Sequence, residues 1–204
     1  MLALDVGTGK VLWKTYVVPM GYPGGAVWGS APAVDTRRGQ VYIGTGNNYD
    51  IPPEALDCVK LAGNDAAAQR ACIDPANHVD SVVALDVATG KINWSTAALP
   101  FDAWTVGCLF GLAPENCPQP AGPDFDFGQA PALYSVQDPG TGRSRDVVGA
   151  GQKSGQYWAL DPDTGAVQWT TQAGPGGTAG GLQWGSAVDG ARVYTANANS
   201  DRKP

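Results

Sequence analysis

One eleven-residue phrase is written three times along this chain in fixed register. A repeat of that kind restricts the fold more than any composition can. It reads Ala-Leu-Asp-Val-Gly-Thr-Gly-Lys-Val-Leu-Trp from Ala3 to Trp13 and Ala-Leu-Asp-Val-Ala-Thr-Gly-Lys-Ile-Asn-Trp from Ala84 to Trp94. The third copy is Ala-Leu-Asp-Pro-Asp-Thr-Gly-Ala-Val-Gln-Trp from Ala159 to Trp169. Each copy predicts two short strands around a tight turn. Ala-Leu-Asp closes one strand, the Asp oxygens and the Gly favour reversal, and the second strand ends on a large aromatic. The copies start 81 and 75 residues apart, more than the roughly 40–50 residues of a propeller blade, so inserted loops must take up the excess.

A looser repeat supports the same architecture. Trp28-Gly29-Ser30-Ala31-Pro32-Ala33-Val34-Asp35 leads into Gly39-Gln40-Val41-Tyr42-Ile43-Gly44-Thr45, and Trp184-Gly185-Ser186-Ala187-Val188-Asp189 leads into Ala191-Arg192-Val193-Tyr194-Thr195. Both read as strand, turn, strand. The fold class is therefore all-β, a partial β-propeller of four-stranded antiparallel blades. The best helical period lies between Asn64 and Ala71, and it is weak. Residues 1–204 read as a fragment of one propeller domain: the end of one blade, two blades, and the start of a fourth, stopping at Asp201-Arg202-Lys203-Pro204. Met1 precedes a strand end rather than a charged and then apolar leader, so no signal peptide is expected in this stretch. Propellers close with about 4–8 blades, which makes the remaining blades of a parent protein the first expected partner.

The 28 Gly and 16 Pro are aperiodic and spread between short strands, so they signal turns rather than disorder. A net charge of −6 and an isoelectric point near 4.6 argue against nucleic acid or an anionic membrane surface as partner. No apolar run approaches the ~20 residues of a membrane span. The four cysteines fall in two close pairs, Cys58 with Cys72 and Cys108 with Cys117, each inside a long insert. Even number and short spacing suggest two local disulfides and an oxidising compartment, periplasmic or secreted, with four free thiols as the alternative. No Cys-x-x-Cys occurs and His78 is the single histidine, so neither a zinc site nor a c-type haem attachment is expected.

The tryptophan-ended phrase, together with Trp28-Gly29-Ser30-Ala31-Pro32 and Tyr42-Ile43-Gly44-Thr45-Gly46-Asn47, resembles the quinoprotein alcohol dehydrogenases. Within that family Asp124-Phe125-Asp126-Phe127-Gly128, Gly151-Gln152-Lys153-Ser154-Gly155, Gly174-Pro175-Gly176-Gly177 and the Cys-bearing inserts look like the polyvinyl alcohol dehydrogenase branch. The resemblance implies an eight-bladed propeller with pyrroloquinoline quinone and calcium on its axis. It also implies an alcohol or polyol substrate, possibly polymeric, and a cytochrome-type electron acceptor. It places Trp28 as the floor under the quinone ring, Asn47 as a calcium ligand and Lys153 as the donor to the quinone oxygens. These residue types suit the roles: an aromatic platform for a flat ring, an oxygen ligand for a hard cation, and a cation beside developing negative charge.

One departure matters. The family's base is an Asp directly after a Trp, and the matching stretch is Pro100-Phe101-Asp102-Ala103-Trp104-Thr105. A Thr hydroxyl is no base at neutral pH, so another group must take the alcohol proton. The candidate is Asp102, two residues before Trp104, with the loop rearranged, and the base is otherwise unassigned. Structural readings stand beside these. Trp13, Trp94 and Trp169 clamp blade to blade, and Asp5, Asp86 and Asp161 form turns. Trp28 could be repeated core, as Trp184 opens a similar phrase. Asn47 and Lys153 could be turn residues, and Asp124 and Asp126 could cap a loop or bind a cation. A propeller that has lost its cofactor and serves as a binding or assembly scaffold is the rival function, with a polysaccharide-binding propeller as a third reading. Asn93-Trp94-Ser95 fits a glycosylation pattern but falls in a strand.

Overall fold

In each copy of the phrase, the Asp carboxylate ties the turn. Asp5 Oδ1 accepts from Thr8 N at 2.8 Å and from Thr8 Oγ1 at 2.7 Å. Asp86 and Asp161 repeat the pattern with Thr89 and Thr164. These bonds stabilise the ionised form, so the Thr8 hydroxyl holds the Asp5 carboxyl below its ordinary range and Thr89 does the same for Asp86. A fourth such turn, Asp138 with Thr141, carries no tryptophan.

The structure is a computed structural model that describes residues 1–138 and 140–200. Residues 201–204, on which the fourth blade of the sequence reading stops, lie outside the described residues. Among the described residues twelve strands form four antiparallel sheets. Strands β1 (Leu2–Leu4) and β2 (Val11–Lys14) make a pair. Then come β3 (Val27–Asp35), β4 (Gln40–Thr45), β5 (Ser81–Asp86) and β6 (Ile92–Ala97), hydrogen-bonded in that order. The second four-stranded sheet holds β7 (Ala132–Gln137), β8 (Ser144–Gly151), β9 (Gln156–Leu160) and β10 (Val167–Gln172). Strands β11 (Gly181–Val188) and β12 (Val193–Ala198) form the last pair. The first strands β3, β7 and β11 touch one another, which brings three sheets to a common hub.

Between neighbouring sheets the tryptophan of one phrase seats on the turn of the next. Trp13 Nε1 donates to Val87 O at 3.0 Å while Thr15 Oγ1 donates to Gly90 O at 2.6 Å. Trp94 Nε1 and Thr96 Oγ1 repeat this on Pro162 O and Gly165 O, at 3.0 and 2.6 Å. The apolar layer between the two complete sheets holds Tyr42, Val82, Phe127, Val148 and Leu160, with Trp94 packed against it. Arg38 adds a polar staple. Its Nη1 donates to Asp35 and Asp146, and its Nε donates to Asp163 at 2.7 Å, so one guanidinium joins the two sheets.

The inserts hold more helix than the sequence suggests. Beside α2 (Ala66–Ala71), near the weak period, runs α1 (Pro53–Ala62), for which no helix was expected. A helix of ten residues is marginal by itself. Here Pro sits in its first turn, and Ala55 and Val59 bury one face against Tyr22, Ile73 and Phe101. The Cys58–Cys72 disulfide ties it to the end of α2. Cys108–Cys117 closes the second insert, around two short 3-10 turns at Val106–Gly111 and Pro114–Asn116. Among the described residues no cysteine is free and no helix is long and apolar enough to cross a membrane.

The docking contact can be isolated by comparing two glycines of the same turn. Gly9 and Gly165 have φ of 69° and 72°, but a methyl on Gly165 falls 2.5 Å from the Trp94 ring, whereas none of the described atoms lies within 4 Å of one on Gly9. Gly9→Ala should cost about 1 kcal/mol from the left-handed backbone alone. Gly165→Ala should cost about 1–3 kcal/mol more. Chemical denaturation of both variants checks the difference.

Candidate functional site

At the hub end of β4 the chain runs Gly44-Thr45-Gly46-Asn47, and the absence of a side chain at Gly46 is what lets the site close. A methyl there would fall 2.7 Å from Trp28 Nε1 and 2.9 Å from Asp126 Oδ1. The next residue, Asn47, donates its backbone N–H to Asp126 Oδ1 at 2.8 Å, fixing that carboxylate. Its Nδ2 donates to Trp104 O at 2.7 Å, so the group Asn47 can offer to a cation is its carbonyl oxygen.

Lys153 comes from the turn between β8 and β9. Its N–H donates to Asp126 O at 3.0 Å, and its O accepts from Gly177 N at 3.1 Å, so the Gly174-to-Gly177 segment braces the turn. Its ammonium lies 2.5 Å from Asp126 Oδ2 and 3.1 Å from both oxygens of Asp124. The same nitrogen lies 5.1 Å from the centroid of the half-buried Trp28 ring, close enough for a cation–π contact. These groups line one cavity of about 500 Å³, with Tyr49, Trp104 and Thr105 among its other walls. That is an ordinary size for a cofactor site.

The structure thus brings Trp28, Asn47 and Lys153 to a single cavity and does not bring Asp102 there. Asp102 is fully buried and does not line the cavity. Its two oxygens accept from Trp104 N and Phe125 N, both at 3.1 Å, so it pins two loops together. Thr105 does line the cavity, but its hydroxyl donates to Asn116 O at 2.8 Å and caps the 3-10 turn through Gly107 N. The carboxylates at the cavity are Asp124 and Asp126. The repeated-core reading of Trp28 also meets a difference: Trp184, which opens the similar phrase, is 72% exposed and left-handed with φ 76°.

The cavity backs onto a buried acidic group. Burial, reinforced by the Asp126 charge and opposed by Lys153, pushes Asp124 up to about 7. Burial also lifts Asp102, to about 6. Asp80 is fully buried, neither of its oxygens has a hydrogen-bond partner among the described residues, and burial with three neighbouring aspartates drives its pKa well above the ordinary range. Burial works against the charge on Lys153, but Asp126 and Asp124 outweigh it and raise its pKa. Among the described residues no three acidic, cysteine or histidine side chains are grouped to hold a metal ion.

Comparison with known proteins points the same way. The chain is 34% identical over 210 residues to a polyvinyl alcohol dehydrogenase of a Pseudomonas species, an alignment covering 95% of this chain and 28% of that protein. A polyvinyl alcohol dehydrogenase of a Sphingopyxis species is 34% identical over 212 residues, with the same coverage. The chain therefore spans 28% of the length of these relatives. Among solved structures, the quinohemoprotein alcohol dehydrogenase of Comamonas testosteroni matches 98% of this chain and 28% of its own with a TM-score of 0.57 at 20% identity. A second quinohemoprotein alcohol dehydrogenase, from Pseudomonas putida, covers 83% of this chain and 23% of its own, with a TM-score of 0.53 at 22% identity. These two likenesses establish the fold. No protein-family model matches the chain.

Asp80 carries a pH prediction. A carboxyl whose pKa is raised on folding stabilises the fold below its unfolded pKa, and that contribution is lost as pH rises through the folded value. Asp80 therefore weakens the protein progressively above about pH 4. Asp80→Asn keeps the shape and removes the titration, so its melting temperature should fall less between pH 5 and pH 8 than that of the unaltered protein. Parallel curves would show that Asp80 does not carry the effect.

Proposed function

From the premise that the chain is homologous to the polyvinyl alcohol dehydrogenases along 95% of its length, we propose that it forms the cofactor-facing part of a quinoprotein dehydrogenase that oxidises alcohol groups. One observation carries this reading. An aromatic face, an ammonium, an amide oxygen and a fixed carboxylate, from Trp28, Lys153, Asn47 and Asp126, meet at one cavity although they are far apart in sequence. A scaffold has no need of that convergence. The scaffold reading rested on Thr105 at the base position, and Asp126 supplies the missing carboxylate.

Pyrroloquinoline quinone, when bound, supplies the two-electron acceptor. Trp28 offers the flat apolar face against which such a ring packs. Lys153, held charged by its two aspartates, places positive charge where an acceptor oxygen gains electron density. Asp126 takes the proton of the substrate hydroxyl, and the Asn47 N–H fixes the direction in which it does so. Asp124, pushed up to about 7 by burial, stands beside it against the same ammonium. Calcium fits the oxygens of Asn47 and Asp126 as two of its ligands, the rest coming from beyond this chain. Electron transfer to a cytochrome-type acceptor follows from the family alone. A periplasmic or secreted location suits the two disulfides.

The test uses the full parent protein loaded with the quinone and calcium, assayed by dye reduction with secondary alcohols. Asp126→Asn should retain the cofactor and lower kcat by about 10²–10⁴. Lys153→Ala and Asn47→Ala should weaken cofactor uptake, followed by equilibrium dialysis. Uptake indifferent to both substitutions, or no uptake at all, would sink the proposal.

A further inference from the structure

The two disulfides close different inserts, and they are not equivalent. Cys58–Cys72 lies over a core: Ala55 and Val59 of α1 are buried with Tyr22, Ile73 and Phe101, and Cys72 packs against them. Cys108–Cys117 has no such layer beneath it. Ala103 and Asp124 are buried, but none of the described residues from Trp104 to Pro123 is. Yet this segment supplies Trp104, Thr105 and Val106 to the wall of the cavity that holds Trp28 and Lys153. We infer that the Cys108–Cys117 disulfide positions that wall, so that breaking it opens the cavity while breaking Cys58–Cys72 does not.

The other forces on the segment are local and weak. Its hydrogen bonds run largely within itself: Cys108 N donates to Thr105 O at 2.9 Å, Ala113 N to Gly107 O at 3.2 Å, and Asn116 N to Ala113 O at 2.9 Å. Water replaces such bonds at small net cost, and segments held only by them open locally. The backbone is also held against its preference. Phe110 has φ 53° and is 91% exposed, so no burial offsets its left-handed conformation. A cross-link limits the open conformations of the stretch it closes, and here the two cysteines are 9 residues apart.

Two links carry the clamp to the site. The Thr105 hydroxyl donates to Asn116 O at 2.8 Å, beside Cys117, and lies 4.0 Å from Cys108 Sγ, so both ends of the bridge bear on it. Next to Thr105, Trp104 O accepts from Asn47 Nδ2 at 2.7 Å and so sets the direction of the Asn47 carbonyl. With the bridge broken, Asn47 loses a fixed acceptor, and the wall must be ordered afresh at each binding event. The consequence for the cofactor rests on the dehydrogenase reading, whereas the opening of the wall rests on the fold alone. The wall is therefore sensitive to reduction. A dithiol gives two electrons and two protons, the S–S bond breaks to two thiols, and the dithiol closes to its own disulfide.

The experiment compares the parent protein with two serine pairs, Cys108→Ser with Cys117→Ser and Cys58→Ser with Cys72→Ser. Amide hydrogen exchange over 104–117 reports the wall, and equilibrium dialysis of pyrroloquinoline quinone reports the cavity. The first pair should speed that exchange and raise the quinone Kd, each about tenfold. The second pair should lower the melting temperature but leave exchange over 104–117 and the Kd within about twofold. A bridge that only adds stability would lower the melting temperature and move neither. Should the first pair fold poorly, dithiothreitol added to the folded, unaltered protein should reproduce both changes, and reoxidation should reverse them. Exchange unchanged on loss of Cys108–Cys117, quinone affinity unchanged in a protein that binds it, or equal changes in both pairs would overturn the inference. If no form binds the quinone but exchange over 104–117 still rises in the first pair alone, the clamp stands and the dehydrogenase reading fails.

Discussion

Everything in this molecule depends on an indole seated on a neighbour's turn. A four-stranded sheet buries a face only against another sheet, and the repeated phrase supplies the latch: a Trp and a Thr of one sheet donate to carbonyls in the turn of the next. Because the turn ends on Gly, the ring lies directly on backbone. The latch sets the angle between sheets, and the angle brings β3, β7 and β11 to a common hub. The site is a consequence of that placement. Trp28, Asn47, Asp126 and Lys153 come from successive sheets and meet only because their first strands meet.

The electrostatics of the hub follow from the same geometry. Four aspartates, Asp80, Asp102, Asp124 and Asp126, are buried around one lysine. Burial penalises each charge, and mutual repulsion adds to it, so Asp80, Asp102 and Asp124 hold protons more readily than surface carboxyls. Lys153 is their nearby cation and gains charge stability from them. Such an arrangement is costly for stability unless function retains it.

How much of this could be read from the residues depended on distance along the chain. The Asp-to-Thr turns and the docking tryptophans are local patterns, and the sheets follow them. Trp28, Asn47 and Lys153 were visible because Trp28 opens, and the other two closely follow, a strand of recognisable pattern. Helix Pro53–Ala62 was not, since two buried positions and a disulfide stabilise it rather than its own periodicity. That the carboxylates lining the cavity are Asp124 and Asp126 rather than Asp102 has a different reason. The insert closed by Cys108–Cys117 separates Asp102 and Trp104 from Asp124 and Asp126, so a linear match stops at the first pair while the folded chain presents the second. Two acidic residues around Phe125, directly before Phe127-Gly128 and a strand, were the available signal. The conformational difference between Trp28 and Trp184 lies in φ and leaves no trace in their similar phrases.

The most direct measurement is a crystal structure of the parent protein soaked with pyrroloquinoline quinone. The account predicts the ring stacked on the Trp28 indole at van der Waals separation, with the Lys153 ammonium swung from its aspartates to hydrogen-bond a ring oxygen. Density for the quinone away from that indole, or Lys153 still paired with both aspartates beneath a bound ring, would contradict it.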